Sequence, residues 1–269
     1  YLIIRSETLQ MIHLSEINLI IIENGMVSIT SYLINELINN KIKLMFCDET
    51  HNPAGEIVPY YNSFNTSKKV QNQIKWKKTN KDEIWQQIVK HKIHNQAMLL
   101  RKLEIDGYNQ LFEYEKNVEV GDKTNREGHA AKVYFNLLFG KKFIRGSKDD
   151  INISLDYGYS IILSTFNKEI VSKGYITQIG INHKNEYNPF NLSCDLMEPY
   201  RPLIDEIVYN NINNEFNKTQ KYKLLDVLNR VVTFNNKEQY VSNAIPIYIQ
   251  SVFNALENIK ESKVNNYEI

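Results

Sequence analysis

Cysteine, glycine and proline are scarce in this chain, and it has no long apolar run. Of its 269 residues, two are Cys, ten are Gly and six are Pro. Two cysteines cannot build a disulfide framework or supply four ligands to a zinc ion. The longest mostly apolar stretch, around Leu19 to Ile22, is far shorter than the roughly 18 residues that a membrane span needs. These absences exclude a disulfide-stapled scaffold, a zinc finger and a membrane-spanning protein.

Several motifs of common enzyme classes are also missing. The sequence contains no Walker loop, no Gly-x-Gly-x-x-Gly, no serine-nucleophile elbow and no Cys-x-x-Cys. The chain opens with Tyr1 rather than Met, so we expect further residues before it in the natural protein. No charged segment followed by an apolar one opens the chain, so we predict a cytoplasmic protein without a signal peptide.

Net charge is close to zero, but basic residues are unevenly distributed. Residues 1–65 carry 3 basic and 7 acidic side chains, residues 66–150 carry 18 and 11, and residues 151–269 carry 11 and 13. A basic middle between acidic ends is typical of a surface that faces nucleic acid. A solvated lysine-rich helix has the same composition, so charge alone leaves both interpretations open.

Short runs of β-branched and apolar residues dominate residues 1–64. The runs that predict strands are Leu2–Ile4, Ile17–Ile22, Val27–Ile29 and Lys43–Phe46. Apolar residues at helical spacing predict one short helix between them, over residues 31–38. This part of the sequence therefore indicates a small β-rich domain.

The pattern changes to helical after a polar stretch at 65–73, which predicts a linker. Residues 74–269 have apolar spacings of three, four and seven over long stretches. Thr124 to Glu127 has the capping-box pattern of a helix start, Gly140 predicts the end of that helix, and Asp149 predicts the next start. We therefore predict an α+β protein, with a small N-terminal β-rich domain followed by a larger all-α domain.

Four residues near predicted helix starts or loops have the chemistry of a catalytic or metal site. They are Glu127, His183, Asp195 and Glu198. Each also has a simpler interpretation. Glu127 can cap its helix, His183 can be a solvated loop residue, and Asp195 and Glu198 can form a solvated pair with Arg201. Three carboxylates and one imidazole would suit magnesium or manganese better than zinc or copper, and such ions assist phosphodiester transfer.

Four segments resemble the first CRISPR-associated protein family, the spacer-acquisition integrases, and most closely its type II-A branch. They are Asn125–Ala131, Asp150–Tyr159, Gln178–His183 and Ser193–Pro202. The last contains Asp-Leu-Met-Glu-Pro-Tyr-Arg-Pro, which is quite specific, and the segments occur in order across most of the chain. Ile12–Ile17 in the small domain fits the same family.

The resemblance implies a divalent-metal site with Glu127, His183 and Glu198 as ligands and Asp195 as an accessory catalytic carboxylate. It implies strand transfer, in which the 3′-hydroxyl of a short DNA fragment attacks a phosphodiester at the repeat boundary of a CRISPR array. The implied cofactor is magnesium or manganese. The implied partners are double-stranded DNA, a second copy of the chain bound through the N-terminal β domain, the second CRISPR-associated protein and other type II-A adaptation proteins.

Several basic residues are candidates for DNA contacts. Arg126 and Arg201 flank the candidate carboxylates and can clamp phosphate, or else form structural salt bridges. The other candidates lie at the start of the helical region: Lys68, Lys69, Lys75, Lys77 and Lys78. Two alternative functions stay open, namely a non-catalytic DNA-binding or assembly subunit and a stand-alone nuclease for branched DNA.

Overall fold

The chain forms two compact units, Tyr1–Asn62 and Ser63–Ile269. The first is β-rich and the second is mostly helical, so the predicted α+β fold class is confirmed. No helix within the described part of the chain is long and apolar enough to cross a membrane. The computed structural model describes residues 1–6, 8–49, 53–60, 65–211, 215–257 and 264–268.

The first unit contains two small sheets and one helix. Strands β1 and β2 form an antiparallel hairpin, while β3 and β4 pair in parallel and β5 pairs antiparallel with β4. Helix α1 makes the crossover that two parallel strands require. The elements are β1 Leu2–Arg5, β2 Leu9–Ile12, β3 Leu19–Ile22, α1 Ser31–Asn39, β4 Lys43–Cys47 and β5 Pro53–Glu56.

A small apolar core holds this unit together. Leu37 of α1 packs with Ile42 and Leu44 against apolar side chains of β3 and β4. The predicted strand at Val27–Ile29 is wrong: this segment has no regular secondary structure, and Val27 is 54% exposed. Without a neighbouring strand to accept its hydrogen bonds, a run of β-branched residues does not form a ladder.

The β1–β2 hairpin has an exposed apolar surface. Ile3 is 47% exposed, Leu9 65% and Met11 57%. Contiguous apolar side chains in water are typical of an interaction surface.

Most of the predicted linker is a helix. Thr66–Ile74 forms α2, the first helix of the second unit. Its Gln73 is buried, donates hydrogen bonds from Nε2 to the carbonyl oxygens of Ile176 (2.8 Å) and Ile179 (2.9 Å), and accepts one from the Ile176 backbone N–H (3.0 Å). These contacts are polar and more than 100 positions away in sequence, so local hydrophobic spacing does not predict them.

The second unit is organised around one long buried helix. This is α3, whose 25 residues include a stripe of fully buried side chains such as Ile88, Ile93 and Leu99. Five of the helices that follow it along the chain contact it. The helices after α2 are α3 Lys78–Lys102, α4 Tyr108–Lys116, α5 Arg126–Phe139, α6 Asp150–Ser172, α7 Asn191–Met197, α8 Arg201–Tyr209, α9 Lys218–Leu225 and α10 Val241–Leu256.

The helical unit also contains a three-stranded sheet that the helical periodicity did not predict. Its strands are β6 Val231–Phe234, β7 Lys237–Tyr240 and β8 Tyr267–Glu268, with β6 in the centre. Tyr267 is buried and its hydroxyl donates to the carbonyl oxygen of Pro199 at 2.7 Å. The sheet thus supports the turn that follows α7.

Candidate active site

Glu127 is available for chemistry because other residues cap its helix. Helix α5 begins at Arg126, and Asn125, in the left-handed conformation, accepts a hydrogen bond from the Gly128 N–H at 3.3 Å. Asp122 accepts the N–H groups of Arg126 (2.8 Å) and Glu127 (3.0 Å). The predicted capping box beginning at Thr124 is therefore wrong, and the Glu127 carboxylate is not required to complete the helix start.

The Glu127 carboxylate instead faces Lys92 of α3. The Lys92 Nζ lies 2.5 Å from Glu127 Oε1 and 2.5 Å from Glu198 Oε2. The Lys92 side chain is only 8% exposed, and that of Glu198 only 6%. One buried ammonium therefore joins two carboxylates that are 71 positions apart in sequence.

Glu198 has a second cationic neighbour. Arg201 Nε lies 3.0 Å from Glu198 Oε2. Burial by itself would raise the pKa of Glu198, but Arg201 and Lys92 outweigh it and lower that pKa to about 2. Glu198 is therefore ionised throughout the physiological pH range, as a carboxylate that binds a cation must be.

Glu198 lies in a short 3₁₀ turn that is fixed from two sides. This turn, Glu198–Tyr200, connects α7 to α8. The carbonyl oxygen of Pro199 accepts hydrogen bonds from Asn95 Nδ2 (3.0 Å) and from the Tyr267 hydroxyl (2.7 Å). Because both donors are buried, the backbone beneath Glu198 has a single defined position.

Asp195 does not lie at the surface: it is fully buried and holds the loop that carries His183. Its carboxylate accepts the backbone N–H groups of Ile181 (2.6 Å), Asn182 (3.0 Å) and His183 (3.1 Å). The His183 Nδ1 lies 2.6 Å from Asp195 Oδ1. Asp195 and Glu198 are therefore not a solvated pair, since each has its own buried partners.

The His183 ring is fixed but still accessible. The hydrogen bond with Asp195 raises the pKa of His183 against the opposing effect of burial, and the charges of Glu198 and Glu127 raise it further. The side chain is 42% exposed, and its ring lies edge-on to Trp85 with centroids 5.9 Å apart. Since Asp195 holds Nδ1, Nε2 is the nitrogen that His183 presents to a ligand.

A close approach at Gly180 allows this loop to form. A Cβ added to Gly180 would lie 2.6 Å from the His183 carbonyl oxygen and 2.7 Å from Asp195 Oδ2. Both distances are shorter than real contacts, so any larger residue must displace the loop or the carboxylate.

Some of the predicted DNA-contacting residues have partners within the protein, and others are exposed to solvent. Lys69 is engaged with Tyr175 and Glu257, and Lys78 pairs with Asp82 at 2.8 Å. Arg126 lies over the Tyr114 ring, with its Cζ 5.9 Å from the centroid. Three others are exposed, at Lys68, Lys75 and Lys77.

Lys92 is the site residue that sequence reasoning missed. It lies on the apolar stripe of α3, one turn after Ile88 and one turn before Gln96, and all three side chains are buried. A lysine in such a stripe is the signal that was available, because a buried ammonium requires carboxylate partners.

Known proteins resemble this chain in sequence and in fold. The family model described as CRISPR associated protein Cas1 matches residues 1–232. A CRISPR-associated endonuclease Cas1 from Neisseria meningitidis serogroup C (strain 8013) is 36% identical over 193 residues, which is 71% of this chain and 64% of that protein. The Cas1 1 endonuclease of Francisella tularensis subsp. novicida (strain U112) is 26% identical over 60% of this chain and 54% of its own length. The chain thus spans less than two thirds of these two relatives.

Solved structures share the fold. A casposase bound to integration product has a TM-score of 0.76 and 24% identity, and covers 91% of this chain and 79% of its own. A CAS1 protein from Thermotoga maritima has a TM-score of 0.74 and 18% identity, over 94% of this chain and 91% of its own. At these identities the likeness establishes the fold.

Proposed function

Because the chain belongs to the Cas1 family of CRISPR-associated proteins, we propose that it is a metal-dependent DNA integrase and endonuclease of CRISPR adaptation. The reaction is transesterification: the 3′-hydroxyl of a short DNA fragment attacks a phosphodiester at the repeat boundary of a CRISPR array, and the 3′-oxygen of the cut strand leaves. The Asp-Leu-Met-Glu-Pro-Tyr-Arg-Pro segment favours the type II-A branch.

One observation carries the proposal: Glu127 and Glu198 converge on a single cation beside the half-exposed His183. The cation is the Lys92 ammonium, 2.5 Å from each carboxylate. The effect of both carboxylates on the pKa of His183 supports the placement of all three groups in one site. Residues from α3, α5, the 180–183 loop and the turn after α7 therefore contribute to one polar centre.

The donor chemistry fits magnesium or manganese. Two carboxylates and one imidazole are ligands that these hard cations accept, and the carboxylate pair already binds one positive charge. In the described residues, no three His, Cys, Asp or Glu side chains are arranged as a ready ligand set. A divalent ion would therefore compete with Lys92 for Glu127 and Glu198.

A bound divalent ion would polarise the scissile phosphate and lower the pKa of the attacking hydroxyl. Glu127 and Glu198 would hold that ion, with His183 Nε2 as the nitrogen ligand. Asp195 acts through His183, because its carboxylate fixes both the ring and the loop that carries it. Arg201 keeps Glu198 ionised, and its guanidinium would bind a phosphate of the DNA.

The partners follow from the same proposal. Double-stranded DNA is the substrate, both as the captured fragment and as the CRISPR repeat. The N-terminal unit makes a homodimer, and the second CRISPR-associated protein completes a larger complex with other type II-A adaptation proteins. Lys68, Lys75 and Lys77, which are exposed, contact the DNA backbone.

A second candidate function has one observation in its favour. The ion pairs of Lys92 with Glu127 and Glu198 are what a purely structural salt-bridge cluster would contain. In that case the protein binds DNA as a non-catalytic assembly subunit. A stand-alone nuclease for branched DNA would use the same site without a second protein.

The test is integration of a DNA fragment with 3′-hydroxyl ends into a supercoiled plasmid that carries a repeat. The reaction contains the second CRISPR-associated protein, and magnesium is compared with EDTA. We expect covalent joining that requires magnesium and is lost in His183→Ala and Glu198→Gln. Glu206→Gln is the matched control, because Glu206 is also a buried carboxylate between two cations, Lys102 and Arg230.

The outcomes separate the candidate functions. Joining that survives both site variants would move the active site elsewhere. DNA binding without joining by the wild-type protein would favour the assembly subunit. Cleavage of branched DNA that needs no second protein would favour the stand-alone nuclease.

A further inference from the structure

The segment between α5 and α6 concentrates positive charge beside an exposed apolar side chain. This basic loop, residues 140–149, contains Lys141, Lys142, Arg145 and Lys148. The three lysines are exposed, and Ile144 between them is 70% exposed. Of the two acidic residues near its end, Asp149 turns inward and accepts the Asn152 N–H that starts α6 (2.8 Å).

The basic loop is held in one shape by Asn152, which is 1% exposed. The Asn152 Nδ2 donates to the carbonyl oxygen of Ile144 (3.0 Å) and to Ser147 Oγ (3.0 Å). Its Oδ1 accepts the N–H of Gly146 (2.8 Å) and Nη1 of Arg145 (2.9 Å). Because one buried amide makes four contacts, little conformational entropy remains for the loop to lose on binding.

An aromatic cluster supports the same loop from α5. The Phe143 ring lies 4.9 Å from that of Phe139 and 5.5 Å from that of Phe135, centroid to centroid. Phe143 therefore packs against the helix, while the next residue, Ile144, projects into solvent. An exposed isoleucine on a stiff, lysine-bearing loop does not contribute to this core.

Contacts through Tyr159 place the basic loop next to the candidate active site. The Cζ of Arg145 lies 5.4 Å from the centroid of the Tyr159 ring, and that of Arg201 lies 4.6 Å from it. Arg201 in turn contacts Glu198. Arg145 of the basic loop and Arg201 beside Glu198 therefore share one aromatic ring as a neighbour.

We propose that the basic loop is a duplex-DNA contact surface, in which Lys141, Lys142 and Lys148 bind backbone phosphates and Ile144 packs into a groove against the base edges. This assignment rests on the proposed function. Exposed lysines suit phosphates, and an apolar side chain flanked by basic ones is the chemistry that proteins insert into a DNA groove. An acidic protein surface would also satisfy the lysines, but the contacts through Tyr159 next to the candidate active site favour DNA.

The test measures affinity for a mixed-sequence DNA duplex by fluorescence anisotropy over a series of salt concentrations, with the full chain. Each lost phosphate contact reduces the slope of log K against log salt by about 0.9, so Lys141→Gln/Lys142→Gln/Lys148→Gln should reduce it by up to about 2.7. The matched control is Lys41→Gln/Lys218→Gln/Lys237→Gln, at three other exposed lysines, which should leave the slope unchanged. Thermal unfolding of both triple variants checks that they fold.

A second variant tests the apolar contact. Ile144→Ser should weaken duplex binding several-fold at every salt concentration without changing the slope, while Ile144→Leu should retain affinity. The control is Val231→Ser, since Val231 is also an exposed apolar residue, at 54%.

The outcomes distinguish this assignment from the proposed function. A loop-lysine variant with the wild-type slope would overturn the loop as a DNA surface and leave an acidic protein as its occupant. Wild-type affinity in Ile144→Ser would overturn the groove contact. Failure of the wild-type protein to bind any duplex would instead count against the proposed function.

Discussion

The Lys92 ammonium bridges two carboxylates that belong to different helical segments. Its side chain is almost fully buried, so its contacts with Glu127 and Glu198 are shielded from solvent. Ionised groups in such a place are stable only when paired. The net charge of the site therefore depends on which cations lie between the two carboxylates.

The first prediction concerns Lys92→Met. Removing the ammonium leaves Glu127 and Glu198 facing each other, which should destabilise the protein by about 3 kcal/mol. Added manganese should recover part of that loss, because a ligand that binds only the folded state raises its stability. The measurement is thermal unfolding of both proteins with increasing manganese.

Lys102→Met is the control for this prediction, since Lys102 is on the same helix and pairs with Glu206 at 2.8 Å. Manganese should stabilise this control no more than it stabilises the wild-type protein, because its Lys92 still occupies the carboxylate pair. A Lys92→Met protein that manganese stabilises no more than the control would contradict Glu127 and Glu198 as metal ligands.

The second prediction concerns Asp205, which is buried and accepts hydrogen bonds from the hydroxyls of Tyr159 and Tyr134. Burial raises the pKa of Asp205 from 3.8 to about 6, although both tyrosines oppose the rise. The folded state therefore holds the proton more tightly than the unfolded chain. This contribution to stability is complete below a pH of about 4 and is lost as the pH rises through about 6.

Asp205→Asn should remove this pH dependence. Relative to the variant, the wild-type protein should lose on the order of 3 kcal/mol of unfolding free energy between about pH 4 and pH 7. Urea unfolding of both proteins across that range is the measurement. Asp106→Asn, at an exposed position, should run parallel to the wild type; a parallel curve for Asp205→Asn would show that Asp205 titrates normally.

At the scale of elements, short turns rather than long helices position the chemistry. The loop at 180–183 is folded around the Asp195 carboxylate, and the turn Glu198–Tyr200 is tied to Asn95 and Tyr267. Helix α3 provides the rigid base, since it carries both Lys92 and Asn95. The candidate site is thus assembled where these three elements meet α5, which carries Glu127.

The third prediction concerns Gly180→Ala. The added Cβ would lie within 2.7 Å of both the His183 carbonyl oxygen and Asp195 Oδ2, so the loop must shift. We expect a loss of about 1 to 3 kcal/mol in unfolding free energy and a loss of strand transfer with DNA binding retained. Gly25→Ala is the matched control, because a Cβ at Gly25 meets nothing within 4 Å. Full strand transfer by Gly180→Ala would show that the position of His183 is not critical.

At the scale of the whole molecule, the exposed apolar face of the β1–β2 hairpin bears on assembly. Ile3, Leu9 and Met11 are each about half exposed or more. A second copy of the chain that covers this face would remove that apolar area from water. The proposed homodimer supplies such a partner.

The fourth prediction is therefore that Leu9→Asp/Met11→Asp shifts the protein from dimer to monomer. Two charges at an apolar interface weaken association, because they lose their hydration when the subunits bind. In the separate chain the same charges remain in water. Sedimentation velocity measures the shift. Tyr222→Asp, at an exposed aromatic residue of the helical unit, should leave the dimer intact. A double variant that sediments like the wild type would place the interface elsewhere.

Elements whose capping residues and apolar spacing act locally could be predicted from the amino-acid sequence. The start of α6 at Asp149, the end of α5 at Gly140 and the short helix α1 follow from capping residues and apolar spacing, which act within one or two turns. The sequence also predicts Glu127, His183, Asp195 and Glu198 as site residues, through resemblance and chemistry.

The contacts between polar groups that are distant in the chain became evident only from the tertiary structure. Gln73 anchors α2 through hydrogen bonds to Ile176 and Ile179, and Lys92 joins Glu127 to Glu198. The tertiary structure also decided that Asp195 is buried beneath His183. These pairings depend on distances in space between residues that are distant in the chain. Hydrophobic periodicity records which face of an element is buried, but it carries no information on which polar partner lies opposite.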